Sequence, residues 1–369
     1  MVKWKTYLKK KGNILMNKIF TGILAVGLPL SVVGSFMHWS YVLMFVIYCI
    51  TIIALASFMG RATESLAIVS GPRIGGLLNA TFGNAVELII SIFSLKAGLV
   101  GVVLASLTGS VLGNLLLVAG LSFFLGGVKY KRQVFNVFDA RHNSALLIFA
   151  VFVAFVIPEV FAGELTSAKQ MTLSVGVSVV LIVLYLLALF FKLVTHRGVY
   201  QAESAEGKVS HGEHETPEWS KRKAMAVLGL ATVAVAFVSE NLVHTFESVG
   251  HTLGWSELFI GVIIVAIVGN AAEHASAILF AMKNQMDIAV EIAVGSTLQV
   301  AMFVAPVLVL VSLFFKKSMS LVFTLPELIA MAVSVLLMIS ISNDGETNWF
   351  EGIALLGAYV IMGIGFYLL

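Results

Sequence analysis

Two short runs could do chemistry in a chain otherwise suited to lipid: Gly83-Asn84-Ala85-Val86-Glu87 and Gly269-Asn270-Ala271-Ala272-Glu273. Each sets a carboxamide three residues before a carboxylate inside an apolar segment. A carboxylate near the centre of a bilayer is expensive, so each is a functional residue by default. A lone intramembrane glutamate can simply pair with a buried amide. Recurrence of the same pentamer 186 positions later argues instead for one machine part present twice.

The donors around these runs are all hard oxygens. On a helix, Asn84, Glu87 and Ser91 share one face. Ser110 and Asn114, four apart, do the same, and their counterparts after the second run are Ser296 and Val300, with Gln299 beside them. Gly83 and Gly269 would let backbone approach a partner, or let a helix open and offer carbonyls. A membrane tolerates that only beside protein or a wet cavity. The expected ligand set is Glu87, Glu273, Asn84, Asn270, Ser110, Ser296 and Gln299, with Gly83 and Gly269 supplying backbone. Such donors suit Ca²⁺, which takes about six to eight oxygens in flexible geometry, and no thiolate invites a softer metal. Two desolvated, like-charged carboxylates should also bind protons when no cation lies between them. Cation and protons would then compete, at about two protons per Ca²⁺ if both glutamates take part.

Four residues form an outer circle with gating or proton-path expectations: Glu64, Glu240, His274 and Asn114. His274 adjoins Glu273 and so points elsewhere on a helix, which favours packing or support over ligation. Glu64 and Glu240 fall near expected span ends, where a gate, an ion-access role and an interfacial structural role are equally open. Asp287, Glu291, Glu327 and Glu351 also lie near span ends and read as wet interfacial carboxylates. Asn343-Asp344-Gly345-Glu346 reads as a turn.

The elements that must position these groups are membrane helices. The chain of 369 residues is 59% hydrophobic and 12% charged, with mean hydropathy +1.00, whereas a soluble domain carries about 25% charge. The net charge of +3 is too small to suggest nucleic acid, and the single Cys49 says nothing of compartment. The lysine-rich start followed by an apolar run lacks a clear cleavage site and reads as a first membrane helix; the residues before Met16 read as an extension with little fold information. Apolar stretches predict eleven spans, near 19–38, 40–60, 76–96, 98–126, 143–162, 170–192, 224–246, 257–281, 287–314, 319–341 and 349–368.

With the N-terminus in the cytoplasm, alternation puts 19 of the 23 Lys and Arg residues inside. Only Lys96, Lys169, Lys316 and Lys317 fall outside. The positive-inside rule therefore places the N-terminus in and the C-terminus out. The polar stretch around His196 to Lys223 reads as a solvated cytoplasmic linker, with a weaker cation-sensing alternative.

A repeat organises the whole. At the offset of the two pentamers, Gly109-Ser110-Val111-Leu112 falls on Gly295-Ser296-Thr297-Leu298 without a gap. Upstream, Thr63-Glu64-Ser65-Leu66 resembles Ser239-Glu240-Asn241-Leu242. The expected fold is an all-α integral membrane protein. It has a basic N-terminus (1–18), an extra helix (19–38), a first five-helix repeat (40–194), an acidic linker (195–223) and a second five-helix repeat (224–369). Five is odd, so the halves enter the membrane from opposite sides. Inverted repeats of this kind build secondary transporters, with the site at the midplane.

These residues resemble a known family. The paired Gly-Asn-Ala-x-Glu motifs, with Leu88 after Glu87 and His274 after Glu273, are similar to those of the Ca²⁺/H⁺ antiporters of the cation/Ca²⁺ exchanger superfamily. The stretch Asp344 to Gly352 is similar to that family's segment before its last helix. The resemblance implies Ca²⁺ and H⁺ as substrates at Glu87 and Glu273, alternating access, no resident cofactor, no enzymatic activity and a bacterial plasma membrane location. Small-residue faces permit self-association. The rivals are a Na⁺/Ca²⁺ exchanger, a membrane-embedded metal-dependent enzyme and a passive cation channel. The first would carry further acidic ligands, which Gly109–Asn114 and Gly295–Val300 lack. The second is disfavoured because no His-Glu-x-x-His run occurs, and the third by the inverted halves.

Overall fold

The computed structural model describes residues 2–195 and 217–369, except the side chains of 2–17, 72–73 and 138–143. Most of the expected linker lies outside the described residues. Among them, eleven helices are long and apolar enough to span a membrane: α1 (Lys18–Phe36), α2 (Tyr41–Ser70), α3 (Ile74–Lys96), α4 (Val100–Tyr130), α5 (Ser144–Ala162), α6 (Ser167–Thr195), α7 (Lys221–Leu253), α8 (Glu257–Ala281), α9 (Met286–Ser312), α10 (Leu325–Ser342) and α11 (Trp349–Leu368). Helix α1 stands apart as the extra element, and α2–α6 and α7–α11 are the two inverted five-helix halves.

Three boundaries differ from the expectation. Helix α2 runs on to Ser70 and α7 to Leu253, so Glu64 and Glu240 lie within helices rather than at their ends. Their polar turns interrupt the hydropathy signal but not backbone hydrogen bonding. Helix α10 begins at Leu325 rather than near 319, because Thr324 and Glu327 form a capping box there with Pro326 behind the cap. Helix α3 has the lowest mean hydropathy of the eleven, 1.4, and it is broken. One piece ends at Phe82, the next starts at Ala85, and Gly83-Asn84 forms a turn between them. The first motif is therefore not one continuous helix as expected, whereas Gly269 to Glu273 lies inside the unbroken helical stretch Ala266–Ala281.

Burial divides the protein into two cores. One gathers α4, α5, α9, α10 and α11. The other joins α2 and α7 with the outer part of α3 and the start of α8. Helices of opposite halves interlock: α2 packs along α7, α4 along α11, and α4 across α8. At the last crossing Gly109 meets the Val262 backbone, and a Cβ on Gly261 would stand 2.6 Å from the Val102 carbonyl oxygen. Only small residues admit backbones this close in lipid.

On the face carrying the linker, a two-stranded clasp ties the halves together. Strand β1 (Gln133–Val134) pairs antiparallel with β2 (Glu346–Thr347). Arg132 is ion-paired with Glu346, and the Phe135 N–H donates to the Gly345 carbonyl at 2.8 Å. Gly345 has φ of +74°, as the expected turn requires.

Candidate ion site between the two halves

The broken α3 and the continuous α8 cross where their motifs meet, and each motif glycine lies against the other motif's glutamate. A Cβ on Gly83 would be 3.1 Å from Oε1 of Glu273 and 3.5 Å from Oε1 of Gln299. A Cβ on Gly269 would be 3.4 Å from both Cα and Cβ of Glu87. Glycine at both positions lets two carboxylates reach one place from two helices of opposite direction.

Hydroxyls and amides from the following helices complete the set. Ser110 on α4 donates to Glu87 Oε1 at 2.5 Å, and Asn270 Nδ2 donates to the Ser110 oxygen at 2.9 Å. On the other side Asn114 Nδ2 donates to Ser296 Oγ at 3.0 Å, and Ser296 is the hydroxyl beside Glu273. Both carboxylates thus receive a hydroxyl that is itself polarised by an asparagine of the opposite half. The two asparagines are not repeat equivalents: Asn270 belongs to a motif, and Asn114 follows Ser110 by one turn. Asn84 Nδ2 donates to Gln299 Oε1 at 2.6 Å, closing the ring.

The repeat extends to backbone shape. A wide π-type turn covers Gly113–Val118 in α4 and another covers Val300–Val304 in α9. Each begins within about one turn after its serine, and π-bulges recur at functional sites.

Acceptors remain over. Glu87 Oε2, Glu273 Oε2 and Asn84 Oδ1 are buried and have no hydrogen-bond partner, as has the Ser91 hydroxyl. Orphaned buried acceptors are rare and need an explanation. Three of them, two anionic, are matched by a hard cation bound through oxygen.

Access is unequal on the two sides. Glu87 is fully buried, and beyond it Ile90, Ser91 and Ser94 are buried too. Glu273 is only half-buried, and towards the linker face Asn79, Thr81, Glu64 and Ser276 are exposed. Thr81 and Ser276 satisfy their hydroxyls on the Leu77 and Ala272 carbonyls of their own helices, at 2.8 and 2.9 Å.

All nine expected ligands are brought together around this crossing. Asn114 joins them through Ser296. His274 is buried behind the site against Gly113, whose Cβ would be 3.7 Å from the imidazole Cε1. Glu64 and Glu240 stand outside the ring, and Glu240 is ion-paired with Lys96 at 2.7 Å. Glu327 is no wet interfacial group. It is 3% exposed, caps α10 and accepts from Thr108 at 3.3 Å, because its helix start is covered by α4.

Sequence reasoning missed the ion pairs: Arg132–Glu346 and Lys192–Glu291, the latter at 3.1 Å, join the halves, and two more involve α7 or the residues just before it. Arg61 forks onto Glu218 at 2.5 and 3.0 Å, with its guanidinium over the rings of Phe58 and Trp219. Lys96 holds Glu240. Only the placement of that lysine had a readable signal, since Phe93-x-x-Lys96 recurs as Phe280-x-x-Lys283 after the second motif.

The profile of the sodium/calcium exchanger protein family matches residues 40–194 and 223–368. The chain is 71% identical over 354 residues to the Ca²⁺/H⁺ antiporter ChaA of Bacillus subtilis, covering 96% of this chain and all of that protein. The structure is similar to that of native YfkE, with a TM-score of 0.84 and 65% identity over 95% of this chain and all of that one. It shares its fold with the H⁺/Ca²⁺ exchanger CAX, with a TM-score of 0.67 and 15% identity over 96% of this chain and 92% of that one.

Proposed function

The chain belongs to the sodium/calcium exchanger protein family, and from that premise and the site's geometry we propose that it exchanges Ca²⁺ for protons across a membrane. The observation that carries the reading is the set of orphaned buried acceptors, Glu87 Oε2, Glu273 Oε2 and Asn84 Oδ1, at the crossing of the two motifs. The Ca²⁺/H⁺ activity named for the 71% identical relative supports the same choice.

In this reading Ca²⁺ sits between Glu87 and Glu273, and amide and backbone oxygens of the motifs fill its shell. When it leaves, two buried carboxylates of like charge are left facing each other, and protons neutralise them. Ser110 and Ser296 can donate to the carboxylate form, and as hydroxyls they can also turn to accept from the acid form. The site serves both cargoes without rebuilding. Because Ca²⁺ and protons exclude each other, alternating exposure of one site makes them exchange, at about two protons per Ca²⁺ when both glutamates are used. Residues 40–194 and 224–369 are the halves that rock against each other.

In this reading the exposed Asn79, Thr81 and Ser276 mark the way into the site from the linker face. With the positive-inside orientation this is the cytoplasm of a bacterium, so the cell would load Ca²⁺ there and release it outside. Protons are favoured over Na⁺ as counter-ion because Gly109–Asn114 and Gly295–Val300 add no carboxylate to the two of the motifs.

The test is Ca²⁺ uptake by proteoliposomes under an imposed pH gradient without Na⁺, repeated with a Na⁺ gradient alone. Uptake driven by the pH gradient, and lost in Glu87→Gln and Glu273→Gln, is expected. Uptake that needs Na⁺ would move the chain to Na⁺/Ca²⁺ exchange, and full activity in either variant would dismiss the site.

A further inference from the structure

The Lys96–Glu240 pair has a repeat image. Lys96 follows Glu87 by nine residues, and Lys283 follows Glu273 by ten. Each lysine lies over the ring of the phenylalanine three residues before it, both at 5.5 Å: Lys96 on Phe93 and Lys283 on Phe280. Glu240 on α7 corresponds to Glu64 on α2. The helices correspond as well, since the outer part of α3 packs on α7 and α8 packs on α2, where Ala272 approaches Gly60 to 3.9 Å of an added Cβ. The repeat therefore maps the ion pair at one membrane face onto Glu64 and Lys283 at the other.

We propose that these are two alternating latches: Lys96–Glu240 holds the face opposite the linker shut in the state seen here, and Glu64–Lys283 closes the linker face in the opposite state. The inference rests on the alternating-access reading. In this structure the closed pair and the more buried side coincide, for Lys96 and Glu240 join beyond the fully buried Glu87, while on the linker side Glu273 is half-buried and Glu64 is exposed. Inverted repeats make the two end states pseudo-images of each other, so a contact made by one half at one face is expected from the other half at the other face. Both carboxylates of the outer circle thereby gain a role distinct from ligation. The lysines are positioning residues that bias which face is closed. Lys96 and Glu240 are 59% and 41% exposed, so the bias is modest, about two- to fivefold in population. A latch that must open in every cycle needs to be no stronger.

The test uses the full chain in liposomes, with Cys49→Ala, a protease site inserted between residues 196 and 216, and Glu64→Cys with Lys283→Cys. A flexible bis-maleimide joins the thiols when they meet, and cleavage of the linker then leaves the joined halves as one band. Neither Ca²⁺ nor a pH gradient is required, so the result stands apart from the transport assay. Cross-linking is expected, and adding Lys96→Ala should raise its rate about two- to fivefold, whereas Lys96→Arg should leave it unchanged. In a separate chain the charge exchange Glu64→Lys with Lys283→Glu should restore uptake lost in Lys283→Glu alone. No cross-link under any condition, a rate indifferent to Lys96→Ala, or no rescue by the charge exchange would each overturn the proposal.

Discussion

Gly83 faces the carboxylate of Glu273 across the boundary between the two halves, with room for a Cβ only 3.1 Å from Oε1 and 2.7 Å from the Asn79 carbonyl oxygen. The second contact is backbone and cannot swing away. Gly83→Ala is therefore expected to displace the α3 break and lower the rate of Ca²⁺ uptake at least tenfold. Gly269→Ala meets Glu87 at 3.4 Å, an ordinary contact, and should cost several-fold less. Initial uptake rates of the two variants at equal reconstituted amounts check the order; a milder effect at Gly83 than at Gly269 would sink the argument.

Ser110 donates to Glu87 and accepts from Asn270. Ser110→Ala leaves a buried carboxylate short of a donor, which typically costs about 1–3 kcal/mol. Since the loss falls on the ionised form that holds Ca²⁺, half-saturating Ca²⁺ should rise by roughly ten- to a hundredfold. Ser110→Thr keeps the hydroxyl and should retain far more affinity. A concentration series of ⁴⁵Ca²⁺ uptake distinguishes them.

Competition between Ca²⁺ and protons has a definite sign with pH. Metal binding releases protons, so apparent Ca²⁺ affinity should weaken on the acid side, by up to about a hundredfold per pH unit where two protons are displaced. Glu87→Gln and Glu273→Gln each remove one titrating group, so any residual binding should follow pH with about half that slope. Isothermal titration of the detergent-solubilised protein in buffers of different ionisation enthalpy reads the proton count directly. An affinity indifferent to pH would contradict the shared site.

The Arg61 fork ties α2 to the residues just before α7. Its guanidinium lies 4.7 Å from the Trp219 ring centroid and 5.0 Å from that of Phe58. Arg61→Lys cannot reproduce a fork that also stacks. We expect it to destabilise by about 0.5–2 kcal/mol and to speed proteolysis at the linker's end, as followed by limited trypsin digestion. Digestion unchanged from the parent would show that the contact does not hold the two helices.

At the other end of the molecule, Glu327 is buried with both carboxylate oxygens engaged, Oε1 by Thr108 and Oε2 by the Thr324 amide and hydroxyl. Glu327→Ala loses a helix cap and should cost about 1–2 kcal/mol, read as a lower melting temperature. Glu327→Gln keeps acceptor geometry and should lie between the two.

Sequence alone determined the membrane class, the eleven spans and the inverted repeat, and it singled out the two glutamates as the candidate site. These follow from composition, from apolar lengths matched to a bilayer and from motif spacing, all of which are local or periodic quantities. It also named Asn84, Asn270, Ser110, Ser296 and Gln299, because hard-oxygen side chains are conspicuous in apolar helices. Which donor meets which acceptor was decided only by tertiary structure. Asn114 reaches Ser296 and Asn270 reaches Ser110 across 182 and 160 residues, and no periodicity within one helix encodes a partner in the other half. The turn at Gly83-Asn84 was hidden for a related reason: Gly269-Asn270 has the same two residues and stays helical, so the choice rests on the packing around each copy. Burial of Glu327 and the closure of Lys96 onto Glu240 are likewise properties of neighbouring helices. Hydropathy reads how much of a segment suits lipid, but only the assembled bundle sets which of its faces meets protein, water or charge.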